Sequence, residues 1–337
     1  MSDPRILFDF DLFNLEIDFP SGFTVFGWTF HLYGVIIAVG FLLAVVYALS
    51  RAKSFGIRDD SIIDMLLFGV PLAVIGARVY YVLFSDWNFT GDYAQDFKNI
   101  ATFWNGGLAI YGGLIGALAG ILLFSLWKRR KQKDFKVSPY LDIVALGFMI
   151  GQCIGRWGNF TNRECYGPET DLPWKMGIAY STGTIWVHPT FLYESLWNLV
   201  GFIALHFYSK RRKFDGEIFA LYLGWYGIGR FWIEALRTDS LYIPGTSFKV
   251  SQVVALACLA ACIVTELVNR LIRKPSPDRL YVNRPLVAVA VSAASAAGAA
   301  AGAAVAPSAA AGTAAPIDES ELDAEFEKLL DQIDKES

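Results

Sequence analysis

Seven apolar stretches, each about 20 residues long, alternate with polar connections along this chain. An α-helix needs roughly 20 mostly apolar residues to cross a bilayer, and each stretch is close to that length. The pattern therefore predicts an all-α fold, a polytopic membrane protein with seven transmembrane helices. The predicted helices cover residues 30–51, 62–85, 107–128, 139–160, 190–209, 217–237 and 248–272.

Lys and Arg are concentrated in every second connection. The connections after the first, third, fifth and seventh stretches are basic, whereas the segments 85–99 and 161–189 contain few cations. Basic connections stay in the cytoplasm, so the N-terminus is predicted outside and the C-terminus in the cytoplasm. Four tryptophans fall at the predicted outer boundary, where an aromatic belt is expected: Trp87, Trp104, Trp157 and Trp186.

The composition agrees with a membrane protein and excludes several other classes. The chain is 54% hydrophobic and 18% charged, with a mean hydropathy of +0.40, which is not typical of a soluble domain. It contains no HExxH, Walker A or GxSxG motif, and its four cysteines have no zinc-binding spacing. No basic, aromatic-interleaved patch suggests nucleic acid. We therefore expect no metal, no cofactor and no nucleic-acid partner.

The C-terminal part differs from the rest of the chain. Residues 286–316 are rich in Ala with Gly, Ser and Pro, which predicts a flexible linker, with an eighth span as the alternative. Residues 317–337 predict a short acidic amphipathic helix. The predicted organisation is an integral membrane domain at 1–275, a low-complexity Ala-rich linker at 276–316 and an acidic amphipathic tail at 317–337.

Polar side chains in five of the predicted helices fall at one depth, near the outer ends. Ionisable groups inside a membrane are costly and usually face a bundle interior or a watery cavity. Their shared depth predicts a site that opens to the outer leaflet and the extracytoplasmic side. The residues are His31, Tyr33, Arg78, Tyr111, Arg156, Asn159, Asn162, Glu164, Tyr226, Arg230, Glu234 and Arg237.

Arginine dominates this set. Arg230, Glu234 and Arg237 are four and three residues apart and are predicted to share a helix face. The alternatives are a purely structural ion pair for Arg230 and Glu234, and an interfacial position for Arg156. Together the arginines predict a net positive cluster for an anionic ligand. A phospholipid headgroup fits, because the guanidinium fork matches phosphate geometry. His31 alone is more typical of a packed interfacial residue.

Glycines recur every four residues in two predicted helices: Gly112, Gly116 and Gly120, then Gly147, Gly151 and Gly155. Such faces let transmembrane backbones approach closely, so these glycines are predicted to pack helices. The connection at 161–189, which contains His188, is long and rich in polar and aromatic residues. That composition is typical of a functional lid or substrate platform.

The segment GRWGNFTNRECYG at 155–167 resembles the signature of the prolipoprotein diacylglyceryl transferase family, G-R-x-G-N-F-x-N-x-E. The resemblance extends over residues 30–240 and does not cover the acidic tail. Further matching blocks occur in order: FHLYG at 30–34, GARVYY at 76–81, YGGLIG at 111–116, HPTFLYE at 188–194 and YGIGRFWIEALRTD at 226–239.

The resemblance implies a multi-pass enzyme of the bacterial inner membrane whose active site faces the outer leaflet and the periplasm. The family transfers the diacylglyceryl group of phosphatidylglycerol to the lipobox cysteine thiol of a prolipoprotein signal peptide. The products are a thioether and glycerol phosphate. By this resemblance Arg156 and Arg230 would handle the phosphate, and the residues that would shape the site are Tyr33, Asn159, Glu164, Glu234 and Arg237.

One position departs from the family pattern. Many members have His where this chain has Tyr111, and that His is the proposed base for the thiol. The ordinary pKa of Tyr is about 10, so neutral Tyr111 is a poor base at pH 7. We expect it to donate a hydrogen bond to a phosphate or glycerol oxygen instead. The other candidate proton acceptors are His31, His188 and Glu164.

Two other functions fit part of the pattern. A transporter or channel for an anionic solute would also contain arginines, but the two halves of the chain show no internal repeat. A non-catalytic membrane scaffold would not need converging arginines. Formation of a thioether product would separate the enzyme from both alternatives.

Overall fold

The computed structural model describes residues 5–8, 15–16, 22–26, 28–84, 100, 107–180 and 183–283. Trp87, Trp104, the Ala-rich linker from 284 onward and the acidic tail lie outside these described residues. The described part contains long helices at each of the predicted stretches, with ends within a few residues of the prediction. They are α1 Leu32–Arg51, α2 Asp59–Phe84, α3 Ile110–Lys131, α4 Ser138–Asn162, α5 Thr190–Tyr208, α6 Glu217–Ala235 and α7 Val250–Leu267.

Five of these helices, α1 to α4 and α7, are long and apolar enough to cross a membrane. The helices α5 and α6 have 19 residues each and contain charged groups that lower their hydropathy, among them Glu194, Arg230 and Glu234. Large apolar side chains such as Leu42 and Leu67 are exposed on the outer faces of the bundle, as lipid contact requires. The chain is therefore a helical integral membrane protein, and the seven crossings and their direction stay predictions.

The helices alternate in direction, which gives the bundle two ends. The sheet end is where α1, α3, α5 and α7 begin, and the basic end is where α2, α4 and α6 begin. Contacts between helices fix the basic end. Lys128 Nζ lies 3.0 Å from Asp64 Oδ2, and the Asp142 carboxylate accepts the backbone N–H groups of Gly216 at 2.8 Å and Phe219 at 2.9 Å.

The helices α2 and α3 pack backbone against backbone. A side-chain carbon added at Gly120 would lie 2.7 Å from Gly69 Cα, and carbons added at Gly112 or Gly116 would overlap carbonyl groups of α2. Glycine therefore allows the close approach of these two helices. The predicted packing role of Gly112, Gly116 and Gly120 is confirmed.

The helices α1 and α4 form a looser pair. A carbon added at Gly147 would lie 3.5 Å from Ala44 O, and one added at Gly155 would lie 3.1 Å from Ile37 Cδ1. A carbon added at Gly151 would meet nothing within 4 Å, because this residue borders an apolar cleft of about 350 Å³. The cleft separates the α1–α4 pair from the α2–α3 pair and is lined by all four helices.

Short strands at the sheet end accompany the helices of this all-α fold. The strands β1 Arg5–Phe8, β2 Leu15–Glu16, β5 Met176–Tyr180 and β6 Gly183–Val187 form an antiparallel sheet in the order β2-β1-β5-β6, and β3 Gly22–Val25 pairs with β4 Trp28–His31. Buried Phe160, Ile178 and Phe191 fill the space between this sheet and the ends of α4 and α5. The connection at 161–189 thus forms a folded layer over the sheet end.

Candidate active site

Two arginines from different helices share one buried carboxylate. Arg156 Nη2, near the end of α4, lies 2.7 Å from Glu194 Oε1. Arg230 Nη1, in α6, lies 3.1 Å from Glu194 Oε2. The Glu194 side chain, in the first two turns of α5, is only 8% exposed. Each carboxylate oxygen therefore accepts from a different guanidinium, and the contact joins three helices at the sheet end.

Further contacts hold Arg230 in place. Its Nη2 lies 2.6 Å from Glu234 Oε2, one helical turn away, and 3.4 Å from Ser251 Oγ in α7. The Arg230 side chain is 11% exposed, whereas that of Arg156 is 23% exposed. Arg156 therefore presents the more accessible guanidinium edge to an incoming ligand, and Arg230 lies deeper.

The cluster is electrically balanced. Arg156 and Arg230 are opposed by Glu194 and Glu234, so the four groups contribute no net charge. The expectation of a net positive cluster is wrong for these residues, because it did not count Glu194. An anion that binds here must compete with the carboxylates or use the N–H groups that they leave open.

A chain of hydrogen bonds extends from Arg156 into the connection after α4. Arg156 Nη1 donates to Asn159 Oδ1 at 3.2 Å, and Asn159 Nδ2 donates to Glu164 Oε1 at 2.7 Å. Asn162 Nδ2 lies 3.5 Å from the same Glu164 oxygen. The chain reverses at Arg163, which adopts the left-handed conformation with φ of 57°. Three predicted site residues are thus joined to Arg156, and the network ends at the exposed Glu164 side chain.

A reciprocal pair of tryptophans, Trp197 and Trp225, aligns the helices that contribute Glu194 and Arg230. Trp197 Nε1 donates to Trp225 O at 3.0 Å, and Trp225 Nε1 donates to Trp197 O at 3.0 Å. The two rings stack with their centroids 4.5 Å apart. A side-chain carbon at Gly229 would overlap the Trp197 indole. This arrangement fixes α5 against α6 within one turn of the shared carboxylate.

Two predicted tyrosines lie beside the cluster. Tyr33, at the start of α1, packs on α4, and its Cδ2 would lie 2.8 Å from a carbon added at Gly158. Glycine at 158 therefore allows α1 to approach the arginine network. Tyr226 is half-buried and lies one helical turn before Arg230 on the same face of α6.

Arg237 does not share a helix face with Arg230 and Glu234, because α6 ends at Ala235. This corrects the sequence-based expectation. Arg237 instead forms a bidentate pair with Asp239, in which Nε and Nη2 each lie 2.9 Å from a carboxylate oxygen. The structure thus places Arg237 in the turn after α6, outside the shared-carboxylate cluster.

Arg237 also contacts the connection after α4, since its Nη2 lies 3.0 Å from Cys165 Sγ. Burial raises the pKa of the Cys165 thiol to about 11, although the Arg237 guanidinium acts in the opposite direction. The hydrogen bond from Arg237 holds the pKa of Asp239 below its ordinary value. The buried Cys165 thiol is therefore a poor source of thiolate at neutral pH.

Two predicted residues lie on the α2–α3 pair. Arg78 Nε donates to Ile100 O at 2.9 Å and its Nη1 donates to Gly107 O at 2.8 Å, so its guanidinium holds the connection between these helices. Tyr111, in the first turn of α3, is 36% exposed, and its ring centroid lies 6.4 Å from that of Tyr80. These contacts associate Arg78 and Tyr111 with the α2–α3 pair rather than with Glu194.

The predicted histidines also lie at the sheet end. His31 is exposed at the end of β4, immediately before α1. His188 Nδ1 lies 3.1 Å from the Tyr193 hydroxyl, which also accepts a hydrogen bond from Trp174 Nε1 at 2.8 Å. His188 thus belongs to a hydrogen-bonded aromatic group near the folded layer.

Glu194 is the residue that sequence reasoning missed. It lies in the HPTFLYE block but was not included among the candidate site residues. The signal was a single carboxylate within an otherwise apolar helix, which in a membrane protein calls for a cationic partner. No fixed sequence spacing connects Glu194 to Arg156 or Arg230, so the shared carboxylate became visible only in the fold.

Residues 20–268 match the sequence model of the prolipoprotein diacylglyceryl transferase family. Three bacterial proteins named phosphatidylglycerol–prolipoprotein diacylglyceryl transferase are similar over most of their length. The one from Finegoldia magna is 42% identical over 246 residues, which cover 73% of this chain and 93% of the relative. The one from Geobacillus kaustophilus is 42% identical over 251 residues, covering 72% and 89%. The one from Clostridioides difficile is 39% identical over 245 residues, covering 73% and 93%.

Proposed function

Because this chain belongs to the prolipoprotein diacylglyceryl transferase family, we propose that it transfers the diacylglyceryl group of phosphatidylglycerol to the cysteine thiol of a prolipoprotein. It is a transferase of bacterial lipoprotein maturation, and this transfer is the first step of that process. The structural observation that best supports an assigned site is the Glu194 carboxylate shared by Arg156 and Arg230.

The reaction needs a thiolate and a stabilised leaving group. The cysteine sulfur forms a bond to the terminal glyceryl carbon of the lipid, while the bond from that carbon to the phosphate oxygen breaks. Glycerol phosphate leaves with the electron pair, and the thiol proton passes to a base. Negative charge grows on the leaving phosphate, so fixed cationic donors near it lower the barrier.

Arg156 and Arg230 divide this task in the proposed mechanism. Arg156 is the more exposed, and it binds the phosphate through N–H groups that Glu194 and Asn159 leave open. Arg230 is deeper and held by two carboxylates, so it adds positive potential and keeps Glu194 in place. Glu194 acts as a positioning residue, because it sets the separation and orientation of both guanidinium groups.

Glu164 is the proposed proton acceptor. Its Oε1 accepts from Asn159 and Asn162, which orients the side chain and leaves Oε2 for the substrate thiol. An ordinary cysteine pKa of about 8.5 requires only modest assistance for deprotonation near a guanidinium. The Tyr111 hydroxyl, at the same end of the bundle, is proposed to donate to a phosphate or glycerol oxygen.

The apolar cleft fits the acyl chains of the lipid. It has a volume of about 350 Å³ and lies between the α1–α4 and α2–α3 pairs. Gly69 and Gly151 border it, and a carbon added at either residue would meet nothing within 4 Å. Acyl chains that occupy this cleft would leave the polar headgroup toward the sheet end, where Arg156 lies.

The proposed location is the bacterial inner membrane, with the sheet end toward the periplasm. Most cationic residues of the described connections lie at the opposite end, as expected for the cytoplasmic side, whereas the sheet end has Arg163, Lys175, Arg237 and Lys249. The lipobox segment of the signal peptide would then approach beneath the folded layer of β5 and β6. The exposed Trp174 and half-buried His188 near that layer offer contacts for it.

A reconstituted transfer assay tests this proposal. The full-length protein in detergent is mixed with phosphatidylglycerol and a synthetic lipobox peptide, and mass spectrometry follows the peptide. We expect a diacylglyceryl adduct on cysteine together with glycerol phosphate. A peptide with Ser in place of the cysteine and a reaction with phosphatidylethanolamine serve as matched controls.

The assigned site is tested by Arg156→Ala in the same assay, with Lys133→Ala as a control for an exposed cation at the basic end. We expect Arg156→Ala to lose on the order of 100-fold or more in rate. Absence of the adduct with folded, monodisperse wild-type protein would refute the transferase proposal. A wild-type rate in Arg156→Ala would refute the site but not the activity.

A further inference from the structure

A second cavity lies at the basic end of the bundle. Its volume is about 420 Å³, which is in the range of small-molecule sites. Ser138, where α4 begins, Gly216, just before α6, and Arg273, at the end of the helical segment after α7, all line it. Along α4, Ser138 and Arg156 are roughly 27 Å apart at 1.5 Å per residue. The cavity is therefore distinct from the shared-carboxylate cluster.

Cationic side chains dominate the lining of this cavity: Lys136, Lys213, Arg273 and Arg279. Asp215 is the acidic residue in the lining, and its oxygens are already occupied. They accept the backbone N–H of Tyr281 at 3.0 and 3.1 Å, and Lys136 Nζ lies 3.4 Å away. The cavity thus combines one balanced ion pair with three additional positive charges.

These three additional cations have no protein counter-charge in the described part of the chain. The side chains of Lys213, Arg273 and Arg279 make no ion pair or hydrogen bond with any residue there, and all three residues are exposed. By contrast, the nearby Arg270 pairs with Glu266 at 2.6 Å and with Glu217 at 3.4 Å. Cations that converge on a cavity without a carboxylate partner repel each other, and a bound anion would relieve that repulsion.

The rest of the cavity wall consists of uncharged polar and apolar residues. Ser138, Thr265, Asn269 and Ser276 provide hydroxyl and amide groups. The N-terminus of α4 at Ser138 adds the partial positive charge of a helix start. Leu141, Phe214 and Pro275 supply an apolar part of the wall. This combination suits a phosphate group that is attached to a less polar body.

We propose that this cavity binds a phosphate group, either as the headgroup of an anionic lipid or as free phosphate. Two arginine forks and a lysine match the charge and the several oxygens of phosphate better than those of a single carboxylate. The site does not depend on the transfer reaction, because the cavity and the Arg156 cluster share no lining residue. A ligand here would join the start of α4, the start of α6 and the segment after α7.

The test compares binding to wild-type protein and to two matched triple variants. Lys213→Gln/Arg273→Gln/Arg279→Gln removes the three additional cations of the cavity, and Arg129→Gln/Arg130→Gln/Lys133→Gln removes three exposed cations at the same end but outside the cavity. Native mass spectrometry of the full-length protein in detergent counts bound dioleoyl phosphatidic acid, with dioleoylglycerol as the lipid that lacks phosphate. Calorimetric titration with inorganic phosphate forms the second arm.

We expect the cavity variant to lose one phosphatidic acid molecule, with affinity lowered on the order of 100-fold, since each cation near an anionic lipid contributes about a fivefold factor. The control variant should keep that molecule, and dioleoylglycerol should not replace it. Inorganic phosphate binding that depends on the cavity cations would identify free phosphate as a source. Binding of phosphatidic acid alone would identify a lipid headgroup.

The proposal is overturned if neither probe distinguishes the cavity variant from wild type. It is also overturned if the control variant loses binding equally, because net charge alone would then explain the result. If the triple variant does not fold, Lys213→Gln replaces it, because this side chain is exposed and makes no hydrogen bond or ion pair with the described residues. An unchanged affinity of Lys213→Gln for both phosphatidic acid and inorganic phosphate would likewise overturn the proposal.

Discussion

Replacing Glu194 by Gln removes a charge from the centre of the arginine cluster while nearly preserving the shape of the side chain. In the wild type one carboxylate oxygen lies 2.7 Å from Arg156 and the other lies 3.1 Å from Arg230. Gln offers one acceptor oxygen and one NH₂ donor in the same positions. One guanidinium therefore loses its acceptor and faces another donor.

The size of the expected rate loss follows from the burial of the Glu194 carboxylate. Breaking a buried ion pair costs about 3–5 kcal/mol, because the remaining charge is left unpaired. We take the lower value, about 3 kcal/mol, since Arg156 is 23% exposed and water can replace part of the interaction. If the arginines must return to their wild-type positions in the transition state, this energy corresponds to a roughly 100-fold lower kcat.

The kinetic constants separate positioning from simple binding. Loss of the Glu194 charge changes the cluster from balanced to positive, so the affinity for the lipid phosphate should not fall. We expect a lower kcat with an unchanged or lower KM for phosphatidylglycerol in the reconstituted transfer assay. Glu194→Asp should recover part of the rate, because it keeps the charge but shortens the side chain.

Asp64→Asn is the matched control, because it removes the carboxylate that pairs with Lys128 at 3.0 Å at the basic end. It should retain the wild-type rate. A Glu194→Gln protein that elutes as a folded species and keeps a rate within threefold of wild type would refute the positioning role. A higher KM with an unchanged kcat would refute the argument that the positive cluster of the variant retains its affinity for the lipid phosphate.

Four further outcomes are expected in the same assay. Arg156→Lys should recover little of the activity lost in Arg156→Ala, because a point charge cannot reproduce the fork; equal rates for Lys and Arg would contradict this. Tyr111→Phe should lower the rate by about 10²-fold if the hydroxyl donates to the leaving group, whereas an unchanged rate between pH 6 and 9 would assign it to packing. Gly229→Ala should reduce both thermal stability and rate, because the added carbon overlaps Trp197; normal melting would show that the helices can adjust. Gly151→Phe should raise KM for phosphatidylglycerol with little change in stability, because its side chain would occupy part of the apolar cleft; an unchanged KM would place the acyl chains elsewhere.

The helices could be predicted from the sequence because each of them is one long, continuous run of mostly apolar residues. The apolar stretch predicted at 190–209 became α5 Thr190–Tyr208, and the stretch at 30–51 became α1 Leu32–Arg51. The four-stranded sheet was not predicted, because its strands are short and pair segments distant in sequence, as Ile6 does with Ile178. Periodicity within a few residues cannot reveal such pairing.

The proximity of Arg156 and Arg230 was predictable from the sequence, but their shared partner was not. The shared depth of Arg156 and Arg230 followed from the span boundaries and from the direction of each helix. The partner of both arginines did not, because Glu194 belongs to a different helix and is one carboxylate among apolar neighbours. Arg237 was placed wrongly, because the helix pattern continues to 237 whereas α6 ends at Ala235, and the arginine then pairs with Asp239.

The reciprocal bonds of Trp197 and Trp225 have a mechanical consequence. Neither α5 nor α6 can slide or rotate against the other without breaking both indole–carbonyl bonds. These helices thus behave as one stationary wall that holds Glu194 and Arg230. The apolar cleft lies elsewhere, between the α1–α4 and α2–α3 pairs, and its lining includes no residue of α5 or α6. A lipid that occupies the cleft as proposed would therefore bind and leave without moving the Glu194–Arg230 contact, so substrate exchange would not disturb the alignment of these two groups.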